Sequence, residues 1–144
     1  MKSLKVKSVL VAGFIAYIFG VSAFVGSFYV PFLPDPEVQA NLVLSIAILP
    51  AAMLGARSYY RKGHSTNGFL LGAAMFFVAM ILDALITVPL FIIPAGGNHI
   101  AFFTDPGFWI IGLEYVLAVA IYWRLTKAVN TQAAQRSFSD PNSL

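Results

Sequence analysis

Residues 68–93 read GFLLGAAMFFVAMILDALITVPLFII, an apolar run interrupted by a single charged side chain, Asp83. As an α-helix this run is long enough to cross a lipid core of about 30 Å, which takes about 20 residues. Further apolar runs of comparable length lie at 8–33, 38–60 and 106–125. The four runs predict an all-α fold, a polytopic membrane protein built as a bundle of four transmembrane helices.

The composition of the 144-residue chain agrees with lipid as its main solvent. Apolar residues make up 59% of the chain and charged residues 10%, against roughly 25% charged in soluble domains. We therefore expect residues 1–127 to form one transmembrane domain and residues 128–144, which lack helical apolar periodicity, to form a mobile, polar cytoplasmic tail. The chain has no cysteine, which excludes disulfides, thiolate nucleophiles and iron–sulfur clusters.

The distribution of charge predicts the orientation. All basic residues fall on one side of a four-span topology: Lys2, Lys5, Lys7, Arg57, Arg61, Lys62, Arg124, Lys127 and Arg136. The opposite connections carry Asp35, Glu37 and Asp105 and no basic residue. By the positive-inside rule, both termini are cytoplasmic. The net charge of +3 is then explained by basic residues at the cytoplasmic ends of the helices, where anionic headgroups attract them. The predicted partner is therefore the lipid bilayer, and no nucleic-acid partner is expected.

Local signals mark where helices begin and bend. Asp35-Pro36 and Asp105-Pro106 each place a capping carboxylate before a proline, which predicts the starts of the second and fourth helices. The third helix has N-cap candidates in residues 65–67. Pro50 and Pro89 lie inside spans, where each is expected to kink its helix.

Small residues recur at helical spacing and predict the packing faces. Gly68 and Gly72 form a GxxxG motif on the third span, and Gly13 and Gly20 belong to a similar stripe on the first. Since lipid provides no hydrophobic drive between helices, small residues that permit close backbone approach are expected at the interfaces.

Two carboxylates lie within spans. At 1.5 Å per residue, Asp83 is about 22 Å from the cytoplasmic start of the third helix and Glu114 about 12 Å from the outer start of the fourth, so both belong to the outer half. A charge in a span is costly, so they are expected to face the bundle and share protons. The side chains of suitable depth to hydrogen-bond them include Thr87, Ser45, Asn41 and Tyr115.

This carboxylate pair has two interpretations. One is a protonatable or cation-binding site open to the outside, because ionisable residues within membranes are usually functional. The other is a pair of protonated side chains that act as interhelical hydrogen-bonding pins. The sequence does not choose between them.

The sequence contains few features that would indicate a metal site or a catalytic site. His64 and His99 fall on opposite sides of the membrane and cannot share a metal. A metal held by His99 and Asp105 is less favoured than a solvent-exposed loop histidine. No nucleophile motif or zinc-protease motif occurs, so no metal or cofactor is expected, and an enzymatic function is uncertain and disfavoured. The aromatic loop 94–105 is interpreted as part of an interfacial belt, or alternatively as a docking or re-entrant segment.

The start of the fourth span reads Thr104-Asp105-Pro106-Gly107-Phe108-Trp109. Together with length and topology, it resembles the small four-helix bacterial inner-membrane proteins of unknown function. The resemblance implies a bacterial inner-membrane location. It does not indicate any particular activity. We predict a non-enzymatic multi-pass membrane protein, self-associating or an accessory subunit of a membrane complex. The alternative is a small proton- or cation-coupled transporter or channel that uses Asp83 and Glu114.

Overall fold

The computed structural model describes residues 4–139 and residue 142, and within them the secondary structure is helical, with turns and irregular connections but no strands. The elements are α1 (Val6–Ser27), α2 (Pro36–Tyr60), α3 (Gly68–Leu82), a π-helical segment (Asp83–Ile92), α4 (His99–Thr104) and α5 (Pro106–Ser139). Four helices are long and apolar enough to cross a membrane, with α3 and the π segment counting as one. The prediction of an all-α chain with four such helices is confirmed. Lys2, used to predict orientation, lies outside the described residues.

The long helices form a bundle with an unexpected order around its axis. Helix α1 packs against α2 and α3, and α5 also packs against α2 and α3. Helices α2 and α3 follow each other in the chain but lie across the diagonal, with few contacts between them. We call α1 and α2 the first hairpin, and α3 to α5 the second hairpin. Each hairpin therefore touches the other along two flanks, α2–α5 and α1–α3.

The starts of three helices are fixed by side-chain caps at the predicted positions. The Asp35 carboxylate accepts hydrogen bonds from two backbone N–H groups in the first turn of α2, at 2.9 and 3.3 Å. Asn67 caps α3 and Asp105 caps α5 with one such bond each, at 2.8 and 3.1 Å. These bonds satisfy backbone donors that have no partner within the helix itself.

The end of the bundle that carries Asp35 and Asp105, here the acidic end, is organised by one buried amide. Gln39 accepts hydrogen bonds from the N–H groups of Phe32 and Leu33, at 2.8 and 2.9 Å. Its amide nitrogen donates to the carbonyls of Ser27 and Val30, at 2.6 and 2.9 Å. Because the amide satisfies backbone groups of the turn, α1 ends at Ser27 and not at the predicted residue 33.

Helix α5 is much longer than predicted. It has 34 residues and runs to Ser139, a length of about 51 Å at 1.5 Å per residue. The helix therefore continues past residue 125, where the predicted span ends, and the polar cytoplasmic tail over residues 128–144 stays a prediction. The extension contains no glycine or proline and several alanines and glutamines, which are good helix formers. The span has already nucleated the helix, so the extension needs only propagation.

The GxxxG motif of α3 faces α5 inside the bundle. A Cβ atom placed on Gly72 would lie 3.0 Å from the Val116 Cα, and one on Gly68 would lie 2.9 Å from the Ala120 Cα. These separations are shorter than ordinary Cβ contacts, so only glycine lets the two backbones come this close.

The two glycines singled out on α1 differ in their surroundings. A Cβ on Gly13 would lie 2.9 Å from the Val78 side chain, whereas the nearest atom to a Cβ on Gly20 is at 3.4 Å, an ordinary contact. Close approaches also occur at Gly55, against α1, and at Gly112, against the ring of Phe76. Gly13 and Gly55 therefore allow tight packing of α1 on its neighbours, while Gly20 does not require it.

The opposite end, here the basic end, is tied together by a polar cluster. Tyr59 is fully buried, and its hydroxyl lies 2.6 Å from Thr66 Oγ1 and accepts a bond from the Lys5 N–H at 3.3 Å. Beside it, Ser8 Oγ lies 3.1 Å from His64 Nε2. These contacts fasten the connection between α2 and α3 to the start of α1, where it crosses the diagonal of the bundle.

Candidate functional site

The Glu114 carboxyl contacts a hydroxyl on the neighbouring hairpin. Ser45 Oγ, on α2, lies 2.6 Å from one carboxyl oxygen of Glu114 and 2.9 Å from the other. Both side chains are half-buried. A serine hydroxyl has one proton to donate, so it can serve the two carboxyl oxygens only in alternation or through a shared bond. The contact joins α2 to α5 and so links the two hairpins along one flank.

The Asp83 carboxyl lies at the start of the π segment and ends a chain of hydroxyls. Thr87 Oγ1 donates to Asp83 Oδ1 at 2.8 Å, and Tyr17 Oη on α1 lies 2.8 Å from the same threonine oxygen. Because the threonine proton is used toward Asp83, the tyrosine must be the donor in the second bond. Tyr17 and Thr87 are buried. This chain links the hairpins along their other flank.

The two carboxyls thus belong to separate hydrogen-bonded groups, here called the polar clasps: Ser45–Glu114 and Tyr17–Thr87–Asp83. In the described part of the chain, Asp83 and Glu114 make no hydrogen bond to each other. Each carboxyl comes from the second hairpin, and each clasp ends on a hydroxyl of the first. A proton shared between the two carboxyls stays a prediction.

Two other residues of the predicted site take no part in either clasp. Tyr115 is 2% exposed, and its hydroxyl has no hydrogen-bond partner among residues 4–139. Its ring packs against Phe76, with centroids 5.8 Å apart. Asn41 lies nearer the acidic end, with its amide nitrogen 3.6 Å from the Cβ position of Gly107.

The π segment contains Pro89, and His99 compensates for the donor that this proline lacks. In a π-helix the N–H of one residue bonds to the carbonyl five residues earlier, which for Pro89 is that of Ala84. Since proline has no N–H, this carbonyl would be unpaired. His99 Nε2 lies 2.9 Å from the Ala84 oxygen, so the imidazole N–H donates to it. The helix adapts to Pro89 by widening, whereas α2 stays α-helical around Pro50.

His99 is exposed, as the sequence analysis favoured, and this bond is an additional contact of its ring; a metal held by His99 and Asp105 stays a hypothesis. The residues that the structure describes contain no group of three or more side chains suited to hold a metal ion.

The aromatic loop folds back onto the bundle. Helix α4 contacts the π segment, and Phe102 and Phe103 pack on Phe108 with ring centroids 5.2 and 5.3 Å away. The Trp109 indole donates to the Phe103 carbonyl at 2.8 Å. The aromatic residues of this loop therefore form an intramolecular cluster at the acidic end, which also places His99 beside Ala84.

The sequence analysis missed two polar residues that matter here, Tyr17 and Gln39. Tyr17 is four residues after Gly13 and three before Gly20, so it shares their helix face, where a bulky hydroxyl-bearing side chain signals a polar contact. Gln39 is an amide in the first turns of an otherwise apolar span, and such a group must find partners when it is buried.

Comparison of this chain with family models, with curated proteins and with solved structures gives no match. The resemblance to small four-helix inner-membrane proteins of unknown function accordingly stays a prediction. The function must be argued from the clasps, the π segment and the surfaces of the bundle.

Proposed function

We propose that the chain is a non-enzymatic multi-pass membrane protein that acts by associating with another membrane-embedded chain, either a second copy or a subunit of a larger complex. The observation that carries this proposal is the pair of polar clasps. Both carboxyls are engaged with hydroxyls that lead across to the opposite hairpin, as expected of side chains that hold a bundle together.

The physical basis of the clasps is the absence of competing water. An ionised carboxyl at the centre of a span costs at least ~2.5 kcal/mol on insertion scales, and no Lys or Arg lies within the apolar runs near Asp83 or Glu114 to offset that cost. A protonated carboxyl both donates and accepts hydrogen bonds. Interhelical bonds of this type contribute about 0.6–2 kcal/mol each. In the proposed role, Asp83 and Glu114 carry protons and act as pins.

The extension of α5 supports association. Residues 127–139 are exposed along their whole length, and they include Val129, 63% exposed, and Phe138, 96% exposed. A helix that is polar on most sides and stands alone buries little surface, so docking against another chain would supply the burial that it lacks. We propose this extension as the contact element.

Cross-linking tests the association directly, and the cysteine-free chain makes it clean. A single cysteine at Gln132, on the extension, should give a disulfide-linked dimer or a cross-linked partner when native membranes are oxidised. A cysteine at Ala95, exposed in the connection at the acidic end, is the matched control and should give neither. Monomer alone from both variants would contradict the proposal.

We further propose a bacterial inner-membrane location with both termini cytoplasmic. The segregation of basic residues to one end of the bundle supports this orientation. Reporter fusions after Lys62 and after Leu144 should register as cytoplasmic, and a fusion after Gly97 as external. An external C-terminus would exclude this topology.

A second candidate is proton- or cation-coupled transport at Asp83, and the π segment favours it. Short π-helical stretches occur often at functional sites. Asp83 is the first residue of this one, and its carboxyl accepts a hydrogen bond from Thr87 within it. In proteoliposomes with an imposed proton gradient, a transporter would show flux that Asp83→Asn abolishes without unfolding. A structural pin would show no flux in the wild type and tolerate the amide, which still donates and accepts hydrogen bonds.

A further inference from the structure

A surface groove of about 300 Å³ runs between α1 and α2 toward the basic end of the bundle. Its upper wall is apolar and consists of Ile15, Phe19 and Leu54. Phe19 and Leu54 are 53% and 40% exposed, so they are available to a molecule from outside the chain.

The lower rim of the groove is polar and positively charged. It consists of Arg57, Ser58 and Arg61, at the last turn of α2. The two arginines are four residues apart, so they lie one above the other on the same helix face. Both are exposed, and no salt bridge joins either of them to a carboxylate within the described chain. The rim therefore presents two free guanidinium groups beside a hydroxyl.

We propose that this groove binds one anionic phospholipid of the surrounding membrane, with the phosphate between Arg57 and Arg61 and an acyl chain along the apolar wall. Guanidinium groups bind phosphate oxygens with paired hydrogen bonds, and Ser58 adds a further donor. Basic pockets between membrane helices on the cytoplasmic side are suited to such headgroups. The inference rests on the membrane location given under Proposed function.

A second groove provides an internal comparison. It has a volume of about 260 Å³ and is lined by Tyr122, Leu125, Thr126, Val129 and Asn130. None of these lining residues is basic, so the groove offers a lipid phosphate only the uncharged donors of Tyr122, Thr126 and Asn130. Selectivity for an anionic headgroup is expected from the arginine groove and not from this one.

Native mass spectrometry of the full-length protein tests the proposal. Micelles of the purified protein receive equal amounts of phosphatidylglycerol and phosphatidylcholine, and the lipid retained on the protein is counted. We expect the wild type to retain phosphatidylglycerol in preference by roughly fivefold or more, the ratio that corresponds to about 1 kcal/mol for one basic residue at an anionic surface. The double variant Arg57→Gln/Arg61→Gln should show no preference.

Arg124→Gln is the matched control, because Arg124 is exposed at the same end but lines neither groove. This variant should keep the wild-type preference. A competition arm adds inorganic phosphate at the lipid concentration, which should leave the bound phosphatidylglycerol in place because phosphate lacks an acyl chain. Displacement by phosphate would overturn the lipid assignment.

The remaining outcomes separate the groove from the membrane location. Resistance of the protein to alkaline extraction from membranes reports the location alone. If the protein resists extraction but the double variant keeps its preference for phosphatidylglycerol, the groove inference is wrong and the location stands. If circular dichroism shows that the double variant is unfolded, Leu54→Trp replaces it in the experiment, because this change fills the apolar wall and keeps both arginines. Leu54→Trp should lower the amount of phosphatidylglycerol retained on the protein. An unchanged amount would overturn the inference.

Discussion

The two halves of the third span solve the same packing problem in different ways. The α3 half is a regular α-helix whose Gly68 and Gly72 let its backbone approach α5 closely. The π segment holds Pro89 and depends on polar side chains from elsewhere: Tyr17 reaches Thr87, and His99 reaches the Ala84 carbonyl. One half should therefore be sensitive to added volume and the other to removed hydrogen-bonding groups.

The largest effect is expected from adding volume to the α3 half. Gly72→Leu should lower the free energy of unfolding by about 1–3 kcal/mol or more, because the side chain would be forced against the Val116 backbone. Thermal unfolding followed by circular dichroism measures the change. Gly26→Leu is the control, since a Cβ at Gly26 has no atom within 4 Å. Equal unfolding midpoints for the two variants would show that close approach to α5 is not needed.

The next effect concerns the hydroxyl chain of the π half. Thr87→Val keeps the shape of the side chain but leaves the Tyr17 hydroxyl and the Asp83 carboxyl without their common partner. The expected loss is about 1–3 kcal/mol, the cost of leaving a buried polar group unpaired. Chemical denaturation in mild detergent measures it, with Thr104→Val as control, because Thr104 is exposed and bonds only within α4. A loss no larger than that of the control would mean that the clasp contributes nothing to stability.

A smaller effect is expected from His99, and it should depend on Pro89. His99→Ala removes the donor to the Ala84 carbonyl and should cost about 0.5–1.5 kcal/mol. In a Pro89→Ala background the backbone N–H is restored, so the same change should cost less. A double-mutant cycle measures this coupling. Additive losses would show that the histidine does not replace the missing proline donor.

The smallest effect is expected at Tyr115, where removal of a polar group should do little. Its buried hydroxyl has no partner in the described chain, so Tyr115→Phe deletes an unpaired group. We expect a change within about 0.5 kcal/mol of wild type, or a slight gain in stability. A loss above about 1 kcal/mol in the same unfolding assay would show that the hydroxyl makes a stabilising hydrogen bond in the folded protein.

Features encoded locally were predictable from the sequence. The caps at Asp35, Asn67 and Asp105 depend on residues within one helical turn, and the starts of three helices follow from them. The presence of four apolar runs is also a local property of the chain. These predictions needed no knowledge of which helix lies beside which.

Features that depend on distant partners were not predictable. The end of α1 is set by Gln39 from the next helix. The π-helical segment around Pro89 has one of its carbonyls, that of Ala84, bonded by His99, ten residues after the proline. The depth of Asp83 and Glu114 was estimated from helix rise, but depth does not give position around the bundle axis. The diagonal placement of α2 and α3 is what puts the two carboxyls in different clasps.

The diagonal connection also has a consequence for biosynthesis. Because the largest interface of α1 is with α2, the first hairpin can bury its main contact surface while the ribosome is still translating the rest of the chain. The later helices then close onto a hairpin that is already assembled and complete the second flank last. Slowing translation between residues 61 and 67 should thus leave assembly of the bundle unchanged. Exchanging the order of the two hairpins in the gene would instead delay the most extensive contact, that of α1 with α2, until the end of synthesis.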